Sequence, residues 1–232
     1  MTVAPLTRDQ LLGHAAELFA ERGFHKVTVR EISDGVGANV AAVNYHFGDK
    51  LGLYREIVEG NIALMEETMQ KAMDAGRGGD ADGQLRAFIE VFVERLLTPR
   101  DGNQIQRLMM REMENPTPML DVIVERVMEP RMRYLCDVIG RLLGRPSDDR
   151  VVRNCAASVH AQCIMCKRTP ALVRMNIGFD DDGDAAALAD HIAEFSLGAM
   201  ASMVGKTMAQ REARGGREVG SAKSSLKAAA SA

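Results

Sequence analysis

The stretch TVREISDGVGANVAAVNYHFGDK, residues 28–50, decides the fold of this chain. It opens on Thr28 and Glu31, which have the spacing of a capping box, in which each side chain accepts a hydrogen bond from the backbone amide of the other. Val27 and Ile32 occupy the two flanking positions of a hydrophobic staple. The pattern therefore predicts a short helix that starts at residue 29 and ends near the glycines at positions 35 and 37.

A second short helix follows directly. Asn39 is a favourable N-cap residue, and the segment Val40 to His46 contains no helix breaker before Gly48. Gly37 has the backbone freedom that a tight turn between two helices needs. The two helices form a helix-turn-helix candidate, a motif whose second helix packs one face against the first and presents the other to DNA.

A helical wheel separates the two faces of the second short helix. With a rotation of about 100° per residue, Val43 and Phe47 point inward and Tyr45 marks the centre of the outer face. The other outward or flanking positions carry small or polar side chains: Val40, Ala41, Ala42, Asn44 and His46. Asparagine can read adenine with two hydrogen bonds, and small apolar side chains contact thymine methyl groups. An ordinary helical corner with Tyr45 and His46 on its surface is the alternative that spacing leaves open.

Other side chains near these helices suit the DNA backbone. Thr28 offers a hydroxyl group and Lys50 an ammonium group on either side of the second helix, and Tyr45 and His46 also suit phosphate. Arg30 points away from the first short helix and can reach a base edge.

Helical patterns also dominate the rest of the chain. Residues 8–22 form an expected helix that opens on a capping box at Thr7 and stops at Gly23, behind which Phe24 folds back on Phe19. A longer helix begins near Lys50, with Asp49 as its cap. Further helices are expected over these approximate ranges: Leu85 to Pro99, 103–113, 115–144 with a bend or break at Pro130, 147–168 ending before Pro170, and 185–204.

The composition agrees with packed helices. Of 232 residues, 46% are hydrophobic and only 4% aromatic, with 15 methionines and no tryptophan. These values disfavour a β-sandwich or a barrel. We therefore predict an all-α chain with a three-helix head over residues 1–48, a larger helical domain over 49–205, and a disordered basic tail over 206–232.

The sequence resembles the TetR/AcrR family of transcription regulators, and within it the CecR-like branch. Three segments carry the family resemblance in order and without gaps: LFAERGF at 18–24, TVREI at 28–32 and VNYHFGDKLGLY at 43–54. Two segments resemble the CecR-like branch: NVAAVNYHFGDK at 39–50 and RLMMREMENPTPMLDVIVERVMEP at 107–130.

The resemblance implies a homodimer, most often a repressor, that binds a pseudo-palindromic double-stranded DNA operator and responds to a small effector. By family position the DNA contacts are Thr28, Arg30, Val40, Ala41, Ala42, Asn44, Tyr45, His46 and Lys50. Asn44 stands where many members carry tyrosine, and Val40 and Ala42 replace commonly polar residues. The operator sequence of other members therefore does not carry over.

Family members dimerise through their last two helices, which here lie at about 148–168 and 185–204. The second of them has an apolar pattern with two small residues: Leu188, Ile192, Phe195, Leu197, Ala199 and Met203, with Gly198 and Ser202. These residues are typical of a close-packed seam between helices, and packing within one chain is the alternative.

A cluster of methionines and aromatic residues is the candidate site for an apolar or amphipathic effector. The predicted set is Met65, Met69, Phe88, Phe92, Met109, Met110 and Met113. The same side chains are also typical of a packed core. Arg107, Arg111 and Glu114 are candidates for a polar contact with the effector or for solvent-exposed positions.

The cysteines offer an alternative sensor. Cys155, His160, Cys163 and Cys166 lie on one predicted helix, and thiolates and imidazoles bind soft metals. A thiol- or metal-sensing repressor that uses Cys163 and Cys166 is therefore the second hypothesis. Because cysteine is among the most frequently buried residues, packing is the simpler interpretation. A helical interaction protein that has lost DNA binding is a third possibility.

Several functions are not expected from this sequence. It shows no nucleotide-binding glycine loop, nucleophile elbow or zinc-protease motif, so we expect neither an enzyme nor a cofactor or metal site. No apolar run approaches a membrane span, and the N-terminus lacks the features of a secretory signal. We expect a cytoplasmic protein with reduced thiols and no membrane partner.

Overall fold

The computed structural model describes residues 8–97, 101–165 and 185–205, except for the side chains of 101–103. Every regular element in these ranges is helical, which confirms the all-α prediction. The helices are α1 (Arg8–Arg22), α2 (Val29–Gly35), α3 (Val40–Phe47), α4 (Lys50–Ala75), α5 (Ala81–Leu97), α6 (Asp101–Glu114), α7 (Met119–Ile123), α8 (Glu129–Leu143), α9 (Arg150–Met165) and α10 (185–205). A 3-10 turn at Phe24–Lys26 joins α1 to α2, and a π-helical turn at Val124–Met128 joins α7 to α8.

Local side-chain caps set the starts of the head helices. The Thr28 hydroxyl accepts a hydrogen bond from the Glu31 amide at 3.2 Å, and the Glu31 carboxylate accepts one from the Thr28 amide at 2.8 Å. Asn39 caps α3 through the amide of Ala41 at 2.9 Å. Asp49 caps α4 in the same way. Each cap satisfies an amide that the first helical turn leaves without a partner, so the predicted boundaries are confirmed.

The end of α1 also agrees with the prediction. Gly23 has a φ of 80°, in the region that favours glycine, and its amide donates to the Phe19 carbonyl at 2.8 Å. The rings of Phe19 and Phe24 lie 5.9 Å apart. This contact accompanies the helix stop as expected.

Two apolar cores lie along the molecule, and α4 contributes to both. The first core joins the head to the start of α4, to α6 and to the α7–α8 junction through residues that include Phe19, Ile32, Val43, Leu53 and Ile123. The second core lies among α5, α8, α9 and α10, with Ala72 of α4. Head packing therefore continues well beyond residue 48.

The structure corrects several boundaries, and α5 begins at Ala81 rather than at Leu85. The helix expected from residue 115 begins at Met119, because Asn115-Pro116-Thr117-Pro118 forms a turn in which Thr117 Oγ1 accepts from the Met119 amide at 3.1 Å. The bend or break that was expected at Pro130 is instead the π-helical turn Val124–Met128, which lies before that proline. Pro130 follows directly as the second residue of α8 and has no amide proton to donate to the helical turn before it.

The start of α9 is also corrected. This helix begins at Arg150 rather than near 147, since the Asp149 carboxylate accepts from the Val151 amide at 2.7 Å. Several predictions lie outside the described residues: the Thr7 cap, the helix end at Pro99, the helix stop before Pro170, Cys166 and the tail 206–232.

Candidate DNA-binding surface and effector cavity

The outer face of α3 is open to solvent as the wheel predicts. Tyr45 is 85% exposed and Val43 is fully buried. Val40, Ala41, Asn44 and His46 are also exposed, whereas Ala42 is half-buried against the first core. The rings of Tyr45 and His46 meet edge to face, with centroids 5.0 Å apart. The face is therefore small and polar, with two aromatic rings near its C-terminal end.

The residues that flank α3 differ in whether their hydrogen-bonding groups already have partners within the fold. Arg30 is exposed. The Thr28 hydroxyl is exposed but donates to the Glu31 carboxylate at 2.8 Å. Hydrogen bonds from the Thr28 amide and hydroxyl, together with the Arg22 guanidinium, lower the pKa of Glu31 to about 2. Thr28 is thus a structural cap whatever else it contacts.

Lys50 has a structural role that the sequence did not reveal. Its Nζ donates to the carbonyls of Phe24 and Val27, each at 3.0 Å, and lies 4.2 Å from the centroid of the Phe24 ring. Burial lowers the pKa of Lys50. An ammonium group has three donors, so one donor remains after the two carbonyls. Lys50 therefore ties the start of α4 to the turn between α1 and α2.

A cavity lies among α4, α5, α6, the α7–α8 junction and the end of α9. The centre of a water molecule can reach about 160 Å³ of it. Most of its wall is apolar: Met65, Phe92, Leu96, Ile105, Met109, Met110, Met113, Leu120, Ile123, Val124, Val127, Met128 and Ile164. The polar members of the wall are Thr68, Arg95, Gln106, Glu112 and Arg131.

The structure brings together five of the seven predicted effector residues. Met65, Phe92, Met109, Met110 and Met113 line the cavity. Met69 lines a neighbouring smaller pocket instead. Phe88 is fully buried and stacks on Phe92, with ring centroids 4.8 Å apart, so it lies one layer behind the cavity wall.

The three polar residues of α6 that the sequence left open between the effector and solvent do not line the cavity. Arg107 is exposed, and Arg111 donates to the Glu21 carbonyl at 2.8 Å and pairs with Glu114. The polar residue of α6 that does line the cavity is Glu112. Its spacing of three residues from Met109, on the same helical face, is the signal that could have identified it.

Glu112 connects the cavity wall to the head. The residue is 1% exposed, and its carboxylate accepts from the Tyr54 hydroxyl at 2.5 Å and from the amide and hydroxyl of Thr117, each at 2.7 Å. Burial and the neighbouring Glu112 carboxylate raise the pKa of Tyr54 far above its usual value, so the phenol remains a donor. The Tyr54 ring meets Phe19 edge to face at 5.1 Å and lies 4.9 Å from Phe24. One buried chain of contacts therefore runs from the cavity to α1.

Arg131, at the start of α8, is the buried cation of the cavity. It is 6% exposed, its Nη1 lies 3.3 Å from His160 Nε2, and its Cζ lies 4.2 Å from the centroid of the Phe92 ring. Burial lowers the pKa of Arg131 to about 10. Burial and the charge of Arg131 lower the pKa of His160 to about 4. At neutral pH the pair is therefore a charged guanidinium beside a neutral imidazole.

Comparison with known families identifies both parts of the chain. Residues 11–57 match the family of bacterial regulatory proteins described as the tetR family. Residues 81–200, more than half of the chain, match the C-terminal domain of the HTH-type transcriptional dual regulator CecR. The chain belongs to the TetR family of transcription regulators, in its CecR-like branch. The relatives and solved structures that match this chain are transcription regulators and not enzymes, in agreement with the sequence analysis.

Individual relatives agree with this assignment. CecR of Shigella flexneri is 28% identical over 150 residues, which cover 61% of this chain and 67% of CecR. The repressor KstR2 of Rhodococcus jostii is 43% identical over 90 residues, which cover 38% of this chain and 43% of KstR2. The activator FasR of Mycolicibacterium smegmatis is 31% identical over 87 residues, 38% of this chain and 39% of FasR. Two of these three matches thus span less than half of the relative.

Solved structures show the same fold. The ketosteroid regulator KstR2 of Mycobacterium tuberculosis superposes with a TM-score of 0.61 at 20% identity, over 85% of this chain and 96% of that one. The TetR-family member SCO3833 of Streptomyces coelicolor A3 gives the same TM-score and identity over 85% and 94% of the two chains. In the described part of this TetR-family regulator, no helix is long and apolar enough to span a membrane.

The cysteines that the structure describes, Cys136, Cys155 and Cys163, lie in packed positions. Cys163 is fully buried, and Cys155 is buried with its Sγ 3.8 Å from Met203 Sδ. Burial raises the pKa of the Cys155 and Cys136 thiols. Among the described residues no group of three histidine, cysteine or acidic side chains is placed to hold a metal. With Cys166 outside the described residues, nothing observed favours the thiol- or metal-sensing alternative.

The predicted dimer seam divides into two sets. Leu188 and Ile192 are buried in the second core of their own chain, as the intramolecular alternative requires. Phe195 is 64% exposed and Met203 41%. Gly198, Ala199 and Ser202 are exposed beside them, and Leu197 is half-buried. An apolar strip on α10, centred on Phe195, is therefore exposed in the part of the chain that the structure describes.

Proposed function

We propose that this TetR-family regulator is a homodimeric repressor whose operator affinity falls when a small apolar or amphipathic effector enters the cavity. The observation that carries the proposal is the shared residue Glu112, which belongs to the cavity wall and holds Tyr54 of the head core. The relative KstR2 of Rhodococcus jostii is named a repressor, which supports the sign of regulation.

The DNA contacts follow from the exposed face of α3. Asn44 is placed to read a base, Val40, Ala41 and Ala42 to contact thymine methyl groups, and Tyr45 and His46 to contact phosphate. Arg30 of α2 reaches a base edge, while Thr28 and the third donor of Lys50 flank the helix at the backbone. The head over residues 1–48 is the DNA-binding part, and residues 49–205 form the effector-binding and dimerisation part.

Dimerisation pairs α9 and α10 of one chain with the same helices of a second, as is typical of the family. The exposed strip of Phe195, Leu197 and Met203 supplies apolar area, and Gly198 and Ser202 allow the helices to approach closely. A two-fold axis between the chains places two copies of α3 in successive major grooves. The operator is therefore a pseudo-palindrome.

The effector acts by changing the spacing of the two heads. Ligand between α4 and α6 shifts the helices that meet the head, since α4 carries Tyr54 and α6 contacts α1 through Arg111 and Glu21. An effector can weaken DNA binding only if it binds better to the conformation whose heads do not fit the operator. Both α4 and α6, rather than α4 alone, transmit the change.

The test is selection of bound sequences from random duplex DNA, followed by titration at fixed salt on the selected site and on a scrambled site. We expect a palindromic consensus and a large specificity ratio. Asn44→Ala should lower affinity for the selected site by about 5- to 150-fold, the range for one two-bonded base contact, and leave the scrambled site unchanged. Arg133→Ala, at an exposed position on α8, is the matched control and should change neither affinity. Equal binding to both sites would refute the proposal.

A further inference from the structure

We propose that the effector is an amphipathic carboxylate whose anionic group pairs with Arg131 and whose apolar body fills the methionine-lined cavity. This inference rests on the proposed function, because it names the chemical class of the effector. It follows from three features of the cavity wall: its apolar surface, the saturation of most of its polar groups, and the state of one buried guanidinium.

The wall favours an apolar body. Met65, Met109 and Met113 are flexible, polarisable side chains that adapt to irregular ligands, and Phe92 adds an aromatic face. The volume that the centre of a water molecule can reach is about 160 Å³. One water needs about 10–15 Å³ on this measure, so the space is that of an alkyl chain or a small ring system rather than a solvent molecule.

Three polar groups of the wall are already satisfied by the protein. The Thr68 hydroxyl donates to the Leu64 carbonyl at 2.7 Å, and the Gln106 amide donates to the Ile164 carbonyl at 2.7 Å. The Glu112 carboxylate takes its three donors from Tyr54 and Thr117. None of these groups needs a ligand to complete its hydrogen bonds.

Arg131 differs from them. Its Nε is buried without a hydrogen-bond partner. The ion pairs formed among the described residues do not include Arg131. Its hydrogen-bond neighbour His160 is neutral at pH 7, because its pKa is about 4. A buried cation without a counter-ion carries a large desolvation cost, which a bound anion would offset.

The free edge of the guanidinium matches a carboxylate. Phe92 covers one face of Arg131 and His160 occupies Nη1, which leaves the edge formed by Nε and Nη2. Two parallel N–H groups on one edge bind both oxygens of a carboxylate.

The internal competitor is Cys163, whose charge in the thiolate form would interact with Arg131. A thiolate would occupy the same positive site and remove the need for an external anion.

The experiment is calorimetric titration of the full-length protein with dodecanoate and with dodecanol, below their aggregation limits and at one salt concentration. The two probes share an apolar body and differ only in the head group. We expect dodecanoate to bind at least tenfold more tightly. Arg131→Met should remove most of this preference and leave dodecanol binding unchanged, because the side chain keeps an unbranched apolar stem but loses the guanidinium and its charge.

The controls separate charge from folding. Arg133→Met removes an exposed guanidinium from the same helix and should leave both affinities unchanged. Circular dichroism and the thermal midpoint report whether Arg131→Met folds. If that variant does not fold, Arg131→Lys keeps the charge and loses the two-bonded edge, and dodecanoate affinity should fall at least threefold with dodecanol unaffected.

Equal affinities for the acid and the alcohol would overturn the proposal. An unchanged preference for the acid in Arg131→Met would also overturn it. So would a Cys163 thiolate detected by its ultraviolet absorbance at pH 7. If neither dodecyl probe binds, octanoate and naphthoate are compared with octanol and naphthol, and a lack of acid preference in every pair overturns it. Operator binding is measured separately. A protein that prefers the acid but does not release DNA refutes the proposed response and not the carboxylate site.

Discussion

At the scale of single residues, the buried pair of Arg131 and His160 makes stability depend on pH. In the unfolded chain a histidine has a pKa of about 6.5, whereas burial and Arg131 lower the pKa of His160 to about 4 in the folded protein. Between these values the unfolded chain binds a proton that the folded chain does not bind. The contribution of His160 to the free energy of unfolding is therefore fully present above pH 6.5 and is lost as the pH falls towards 4.

We predict that the free energy of unfolding falls by roughly 1–2 kcal/mol from pH 7 to pH 5 through His160 alone. Urea unfolding at several pH values measures it. His160→Gln keeps an acceptor near the position of Nε2 and has no proton to gain in this range, so its stability should change less with pH. The lowered pKa of Glu31 acts at more acidic pH and does not interfere. Equal slopes for the two proteins would contradict the assignment.

Lys50 gives a second prediction at this scale. Lys50→Gln shortens the side chain and removes the charge that binds the Phe24 and Val27 carbonyls. Hydrogen bonds to charged groups contribute about 1.5–3 kcal/mol, so the variant should unfold at lower urea concentration even without DNA. Arg30→Gln, at an exposed position of the head, is the matched control and should weaken DNA binding with no change in stability. A Lys50→Gln protein with the same urea midpoint as the parent would contradict this structural role of Lys50.

At the scale of secondary-structure elements, α4 and α6 are joined where the head meets the cavity. The Tyr54 hydroxyl of α4 and the Glu112 carboxylate of α6 share a hydrogen bond of 2.5 Å in a fully buried place. The turn at Thr117 supplies the other two donors and fixes the end of α6. The cavity wall therefore cannot move without a response at the first core.

A double-mutant cycle tests this junction. Tyr54→Phe should destabilise the protein by about 1–3 kcal/mol, because it leaves a buried carboxylate short of one donor. Tyr54→Phe combined with Glu112→Gln should cost less than the sum of the single changes, since the two groups share one interaction. Urea unfolding of the four proteins gives the coupling free energy. Additive effects would show that the hydroxyl and the carboxylate act independently.

At the scale of the whole molecule, two apolar cores are bridged by α4 and an apolar strip of α10 is left exposed. Phe195→Glu places a charge in this strip, where Phe195 is 64% exposed in the single chain. A charge buried in an apolar interface without a partner is strongly unfavourable, so the variant should be monomeric and should bind a half-site more weakly than the parent binds the operator.

Sedimentation velocity at micromolar concentration measures the assembly. Ala63→Glu adds the same charge at an exposed position of α4 and should remain dimeric. Thermal midpoints of both variants check that each chain still folds. A dimeric Phe195→Glu protein would exclude this strip from the interface.

The sequence by itself determined the features that rest on local interactions. The caps at Thr28, Asn39 and Asp49 and the stop at Gly23 each involve residues within about four positions of one another, so their spacing in the sequence is their geometry in space. The exposed face of α3 followed for the same reason, because a short helix with one apolar stripe has one way to pack. Five of the seven predicted cavity residues followed from their type, since flexible methionines and an aromatic ring suit an apolar cavity.

Only the tertiary structure decided the contacts between distant segments. Lys50 meets carbonyls 26 and 23 residues away, and Tyr54 meets Glu112 at a separation of 58 residues. Arg131 and His160 are 29 residues apart, and nothing local to α8 marks that arginine as buried. Such pairs depend on the angles at which helices cross, which the apolar period of each helix does not specify. The head could thus be derived from its sequence, whereas the polar chemistry of the cavity required the packing of five helical segments around it.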